Sequence, residues 1–312
     1  MAVMVAAARD AVGLVGLGAM GRGVATNLIA KGHRVVGFDI RGEMNGWLTE
    51  RGGVFARQLD DVAKSCAIVV SFVVNDAQTE DVLFGKQGLA QSLAPDSIFV
   101  ACSTMPPSYV SALEARLAAR SITLIDAPVT GGAAGAAKGT LTIMAAGNKA
   151  AFERVRPVLD AFGRNVYYIG EKAGAGAQLK VINQLLCGVH LAAAGEALAL
   201  ARRQGLPLDA TLEILRSGAA SSWMLGDRGP RMAAEAFGDV TSAVDIFVKD
   251  LGLVLEAARE SRFAATLASA AYNAFLSVSA RGMGRWDDSA VMCNYAMSPF
   301  DGELPLPARD ER

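Results

Sequence analysis

The sequence is short of several things that would widen its possible functions. Aromatic residues make up only 6% of its 312 positions, so the 52% that is hydrophobic is mostly aliphatic and alanine-rich. Charge of one sign is not in excess: 30 Lys plus Arg stand against 31 Asp plus Glu, with no block of like charges. That balance excludes a nucleic-acid footprint and a polybasic membrane patch. Cysteine is scarce and scattered, at Cys66, Cys102, Cys187 and Cys293, with no C-x-x-C pair, so neither a zinc knuckle nor a dithiol redox motif is expected and no metal site is. Such usage fits a reducing cytoplasm. No basic segment precedes the apolar residues of MAVMVAAARD, which reads unlike a signal peptide. The longest uncharged apolar stretch, 263–280, is interrupted by Ser269, Tyr272, Asn273, Ser277 and Ser279, and is expected to be a buried helix of a soluble protein.

What is present is length for two domains and a change of pattern partway along. Over residues 12–169, short β-rich runs alternate with helical ones. AVGLVG from Ala11, HRVVGFD from His33, AIVVSFVV from Ala67, SIFVAC from Ser97, ITLID from Ile122, TLTIMAAG from Thr140 and VYYIG from Val166 are the strand candidates. Repetition of strand, helix, strand predicts an α/β fold with a doubly wound, mostly parallel sheet of the Rossmann kind. Beyond Gly170 the β-branched runs nearly vanish. Residues 175–204 read as one helix of about 45 Å at 1.5 Å per residue, long enough to connect two domains. Further helices are expected over 208–217, 243–260, 263–281 and briefly from Asp287, followed by a polar, Pro-rich tail from Ser298. The expected domains are therefore 1–172, dinucleotide-binding, and 173–312, all-α, for substrate and dimerisation.

Gly16-Leu17-Gly18-Ala19-Met20-Gly21 follows an apolar strand and opens a helix. Gly16 suits a tight turn, Gly18 a close approach of backbone to a pyrophosphate, and Gly21 close packing of helix on strand. The helix N-terminus, at Ala19 and Met20, offers N–H groups to the phosphates. Asp39 stands about 20 residues further on, where a carboxylate accepts the ribose hydroxyls of NAD and repels a 2′-phosphate. NAD is therefore expected over NADP. Arg41 is positioned either to stack on adenine or to turn toward a 2′-phosphate.

With these features in place, the chain resembles the β-hydroxyacid dehydrogenases, the family of 3-hydroxyisobutyrate dehydrogenase, tartronate semialdehyde reductase and 6-phosphogluconate dehydrogenase. Four blocks carry the resemblance in order: GLGAMGRGVATNLIAKGHRVVGFD from Gly16, CSTMPP from Cys102, DAPVTGGAAGAAKGTLTIMAAG from Asp126, and GAGAQLKVINQ from Gly174. The resemblance implies that Thr130, Gly131 and Gly132 hold a substrate carboxylate, that Lys180 is catalytic, and that a polar residue one turn later orients the substrate. A Thr-Gly-Gly turn can present hydroxyl and backbone N–H donors to an anion. Residues 180, 183 and 184 share one helix face. A lysine with an ordinary pKa near 10.4 is a poor base at neutral pH, so Lys180 is expected to be partly buried and its pKa lowered.

The family has Asn four residues after the lysine, whereas here Gln184 holds that place and Asn183 precedes it. One extra methylene moves the amide by about 1.5 Å, enough to alter substrate choice. Later segments, among them SAVDIFVKDLGLVLEAA from Ser242, resemble the L-threonate dehydrogenase branch, which oxidises a four-carbon sugar acid with NAD. By resemblance Lys249 and Asp250 belong at a cleft between the domains, with Lys249 near nicotinamide or substrate, and Asn75 and Thr104 belong beside the nicotinamide ribose. His190 is either a substrate contact or a satisfied core group. Trp223, Met224 and Arg228 lie on a segment expected to be a loop that closes the pocket in trans within a dimer. The expected partners are a small hydroxy-carboxylate and further copies of the chain, as homodimer or homotetramer, with no nucleic acid and no membrane. Tartronate semialdehyde reduction, hydroxyisobutyrate oxidation and a non-catalytic dinucleotide binder are the alternatives.

Overall fold

The computed structural model describes residues 10–295. The tail from Ser298 lies outside the described residues. These residues divide into two compact units at Lys180 and Val181, inside the longest helix.

The first unit is built on a nine-stranded sheet. Its strands are β1 (Ala11–Val15), β2 (Val35–Phe38), β3 (Val54–Phe55), β4 (Cys66–Ser71), β5 (Ile98–Ala101), β6 (Thr123–Asp126), β7 (Val129–Thr130), β8 (Leu141–Gly147) and β9 (Gly163–Gly170). They run in the order β3-β2-β1-β4-β5-β6-β8-β7, with β9 added parallel to β8. Pairings from β3 through β6 are parallel, while β8 runs antiparallel to β6 and β7. β1 is buried at all five positions, as expected where helices cover both faces. The period of two divides its side chains between two cores. Val12 and Leu14 join Leu28, Phe152 and Phe162 on one side, and Ala11 and Val15 join Val69, Phe99 and Leu113 on the other. The covering helices are α1 (Ala19–Ala30), α2 (Met44–Thr49), α3 (Leu59–Ser65), α4 (Asp76–Phe84), α5 (Pro107–Ala118), α6 (Gly132–Lys138) and α7 (Lys149–Asp160).

Helix α8 (Ala175–Arg203) buries Ala177, Lys180, Val181, Gln184, Leu191 and Leu198, a spacing of three, four and seven that puts one side inward. In the second unit, α9 (Leu208–Ser217), α10 (Trp223–Ala233), α11 (Val244–Glu260) and α12 (Thr266–Val278) surround a core of Leu191, Leu198, Phe247, Leu251 and Phe275. Three details differ from the sequence reading. β3 and β7 are two-residue strands, too short to show a period. The helix expected over 263–281 is α-helical only over Thr266–Val278 and gives way to a π turn over Ser279–Met283, in which Gly282 takes φ +86°. The segment expected as a loop at Trp223 is helix α10, with Ser222 accepting the N–H of Leu225 at its N-cap.

Candidate active site

The glycine loop lies where β1 adjoins both β2 and β4, the point at which the strand order reverses. Ligands of such sheets bind beyond the carboxyl ends of the strands at that point. Gly16 adopts φ +90°, and a Cβ there would stand 2.7 Å from the Phe72 carbonyl oxygen. A Cβ at Gly21 would stand 1.8 Å from the Gly16 oxygen, so α1 can begin this close only with glycine. At Gly18 nothing lies within 4 Å of an added Cβ, so its backbone faces a space a side chain would fill. This cradle, followed directly by Ala19 and Met20 at the start of α1, fits a pyrophosphate. Met20 also packs its side chain on the sheet core.

Asp39 follows β2. Its Oδ2 accepts the Leu17 N–H at 2.7 Å, which ties it to the glycine loop. Arg41 neither stands alone nor points away: its Nε donates to Asp39 Oδ1 at 2.9 Å, its Nη2 to Oδ2 at 3.0 Å, and its backbone N–H to Oδ1 at 2.9 Å. Burial pushes the Asp39 carboxyl up, but the hydrogen bonds from Arg41 and Leu17 outweigh it and hold the pKa below the ordinary value. The fork geometry of guanidinium on carboxylate explains why Arg41 takes this position rather than one in solvent. Asn75 follows β4 and caps α4, its Oδ1 accepting the Gln78 N–H at 2.8 Å. Thr104 follows β5 and is half-buried.

Thr130 closes β7 opposite Thr142, and the turn after it needs two successive left-handed residues, Gly131 at φ +122° and Gly132 at φ +62°. Only glycine takes both without strain. Asp126, at the end of β6, went unnoticed as a functional residue in the sequence. It is fully buried, and its Oδ2 accepts the N–H groups of Gly174 and Ala177, both at 2.9 Å, at the start of α8. Burial raises its pKa to about 6, against the lowering effect of the Ala177, Gly174 and Gly176 N–H groups. A Cβ at Gly176 would stand 3.0 Å from Asp126 Oδ2, which is why the GAGA stretch of the fourth block is poor in side chains. Lys180 lies three residues beyond Ala177 on the same helix and is only 7% exposed, a burial unusual for lysine.

In the second unit a polar chain joins α8 to α11. Asn183 Nδ2 donates to Gln184 Oε1 at 2.8 Å, Gln184 Nε2 donates to Asp250 Oδ2, and Lys249 Nζ pairs with Asp250 Oδ1 at 2.7 Å. Asp250 is 3% exposed, so this is no surface ion pair. His190 is exposed, which removes the core reading of it. Met224 is core packing. Arg228 is consumed by a buried ion pair: its Nε and Nη2 reach Asp288 at 2.9 and 3.0 Å, and its Nη1 reaches Asp227. Trp223 is exposed, with the Arg228 guanidinium 5.9 Å from its ring centroid.

Comparison with known proteins gives the family of the chain. Residues 11–170 match the NAD binding domain of 6-phosphogluconate dehydrogenase, and residues 174–295 match the NAD-binding domain of NADP-dependent 3-hydroxyisobutyrate dehydrogenase. The L-threonate dehydrogenase of Cupriavidus necator is 44% identical over 90% of this chain and 94% of its own length; that of Escherichia coli K12 is 44% identical over 90% and 93%. The crystal structure of 3-hydroxyisobutyrate dehydrogenase from Salmonella typhimurium superposes with a TM-score of 0.87 at 43% identity, covering 90% of this chain and 98% of that one. A glycine cradle at a sheet's switch point, a buried lysine on the helix that follows, and matches across both units lead to one conclusion: the chain belongs to the 3-hydroxyisobutyrate dehydrogenase-like family of hydroxyacid dehydrogenases, NAD(P)-dependent enzymes that oxidise a CH–OH group.

Proposed function

We propose that the protein oxidises L-threonate to 2-oxo-tetronate with NAD. The observation that carries this reading is the buried amine of Lys180, on a chain 44% identical to L-threonate dehydrogenases over 90% of its length. When bound, NAD supplies the hydride acceptor. Gly16, Gly18, Ala19, Met20 and Gly21 hold its pyrophosphate, Asp39 its adenine ribose, and Asn75 and Thr104 the nicotinamide ribose. Thr130, Gly131 and Gly132 seat the substrate carboxylate through a hydroxyl and backbone N–H groups. As the C–H bond gives up its hydride, Lys180 Nζ takes the hydroxyl proton, so that the ketone forms without an unprotected alkoxide. Asn183 and Gln184 orient the remaining hydroxyls, and Gln184 is itself oriented by Asp250, which Lys249 neutralises. This chain of side chains makes the longer amide at 184 a polar guide suited to a polyhydroxy acid rather than to a methyl-bearing one.

Asp39 favours NAD, because its carboxylate would lie against a 2′-phosphate. Arg41, held by Asp39, then braces the acid rather than reading the phosphate. Residues 1–172 serve as the dinucleotide-binding part and 173–312 as the part for substrate and self-association. On α8 the face turned outward carries Leu179 at 37%, Ile182 at 58% and Leu186 at 51% exposure at three- and four-residue spacing, with Leu200 at 55% further along, and these exposed leucines and isoleucine support a homo-oligomer. The four cysteines are free and three are buried, with burial pushing the Cys66 and Cys293 thiols up to about 12, in keeping with a cytoplasmic enzyme. The test is a panel of L-threonate, D-erythronate, D-glycerate, hydroxyisobutyrate and tartronate semialdehyde with NAD and NADP, ranked by kcat/KM. L-threonate with NAD is expected to lead, and a preference for tartronate semialdehyde or hydroxyisobutyrate overturns the reading.

A further inference from the structure

Gly23 and Asn27 belong to the block that opens with the glycine loop but take no part in the phosphate turn itself. A Cβ on Gly23 would stand 2.6 Å from the Ala136 carbonyl carbon and 2.6 Å from the Ala137 nitrogen, so α1 and α6 touch backbone to backbone there. One turn further along α1, Asn27 Nδ2 donates to the Ala136 oxygen at 2.8 Å and the Ala137 oxygen at 3.2 Å, carbonyls of the last turn of α6. The same nitrogen donates to the Gly23 oxygen at 2.8 Å, which fixes the amide on its own helix. Its Oδ1 lies against Gly139, where a Cβ would stand 2.8 Å away, and Gly139 ends α6 in the left-handed conformation at φ +63°. One side-chain amide thus closes the end of α6 and joins it to the cofactor helix.

The two helices have separate business at their other ends. α1 begins at the glycine loop, and α6, a rod of seven residues, begins at the turn of Thr130, Gly131 and Gly132. A rod so short transmits any tilt at its far end to its near end. We infer that Asn27 is a positioning residue that holds the Thr130-Gly131-Gly132 turn in register with the dinucleotide loop, so that cofactor and hydroxy-acid carboxylate bind to one rigid piece. The inference rests on the reading that this turn seats the carboxylate. Its consequence is a selective one: loss of the Asn27 bridge loosens the substrate seat and leaves the dinucleotide cradle, which has its own glycine contacts, intact.

The experiment compares Asn27→Ala and the isosteric Asn27→Asp, which turns an acceptor toward carbonyl oxygens, with the parent enzyme. KM for L-threonate, kcat, the Kd of NAD and the melting temperature are measured for each. A rise in KM of about tenfold with the NAD Kd within about twofold is the expected result. Asn27→Ser, which keeps one donor, is expected to fall between, and it replaces the alanine variant if that fails to fold. A lowered melting temperature with unchanged KM shows a purely structural residue and overturns the inference. Thr130→Val, measured alongside, separates the two levels. If it raises KM and the Asn27 variants do not, only the bridge is wrong; if it leaves KM unchanged, the carboxylate seat is wrong and the inference falls with it.

Discussion

Replacing Asp126 by asparagine removes a proton-binding site while keeping the shape of the anchor under α8. The carboxyl is fully buried, and burial raises its pKa from 3.8 to about 6 in spite of three backbone N–H groups that favour the anion, with the Glu114 charge raising it further. A shift of about two units corresponds to roughly 3 kcal/mol at 1.36 kcal/mol per unit. Because the native carboxyl holds its proton more tightly than the unfolded one, the stabilisation is complete below pH 3.8. It is lost as pH rises through about 6. Asparagine cannot titrate, yet its side-chain oxygen can accept from Gly174 and Ala177 as the carboxylate does.

The stability of Asp126→Asn relative to the parent is therefore expected to rise by about 2.4 kcal/mol between pH 4 and pH 7, with most of the change between the two pKa values. Acids remote from position 126 titrate equally in both proteins and cancel in the difference, whereas Glu114, coupled to the Asp126 charge, contributes to it. Trp47 is the tryptophan in the unit that contains Asp126, so urea unfolding followed by its fluorescence, with Trp223 and Trp286 replaced by Phe, reads the relevant transition. A difference that stays flat across this range, or that falls with pH, refutes the argument that burial outweighs the helix N–H groups.

Lys180→Met is expected to lower kcat by at least a factor of about 100 while NAD affinity stays within about twofold; near-normal turnover removes the lysine from the reaction. Asp39→Ala deletes charge-assisted hydrogen bonds of about 1.5–3 kcal/mol each, so KM for NAD should rise at least about tenfold while that for NADP changes little, as initial rates with the two cofactors will report. Arg228→Met strands the buried Asp288 carboxylate and is expected to destabilise the second unit by about 3–5 kcal/mol; adding Asp288→Leu should restore most of it, and chemical denaturation that finds no restoration argues against the pair.

How much of this was legible in the sequence depends on what kind of physics fixed each part. The parallel strands and the glycine loop were readable, because a buried strand demands a run of apolar residues and a tight phosphate turn demands glycine at fixed offsets. β3 and β7 were not, since two residues hold no pattern. α10 was missed for a different reason: WMLGDRGPRMA contains two glycines and a proline, and reads locally as a breaker. What makes it a helix is tertiary. Gly229 admits Leu212, where a Cβ would stand 2.5 Å from the leucine side chain, and Arg228 closes on Asp288. His190 shows the limit of a helical wheel. It lies about 80° from Lys180 at 3.6 residues per turn, on the boundary between the two faces, and it falls on the exposed side.

Asp39, just after β2, and Asp126, the last residue of β6, carry the synthesis further, because they begin as the same residue in nearly the same setting. Asp39 and Asp126 both stand at the carboxyl edge of the sheet and both accept backbone N–H groups. They part company over a cation. Asp39 has the Arg41 guanidinium on both oxygens, so its pKa is held below the ordinary carboxylate value although its side chain is largely covered. Asp126 accepts from backbone amides, feels the Glu114 charge and is shut away from solvent, so its pKa rises, and its hydrogen bonds go to the first turn of the helix that carries Lys180. Sequence alone gives each of them as an acid after a strand. The placement of a single arginine holds one of them ionised and leaves the other to bind its proton more tightly.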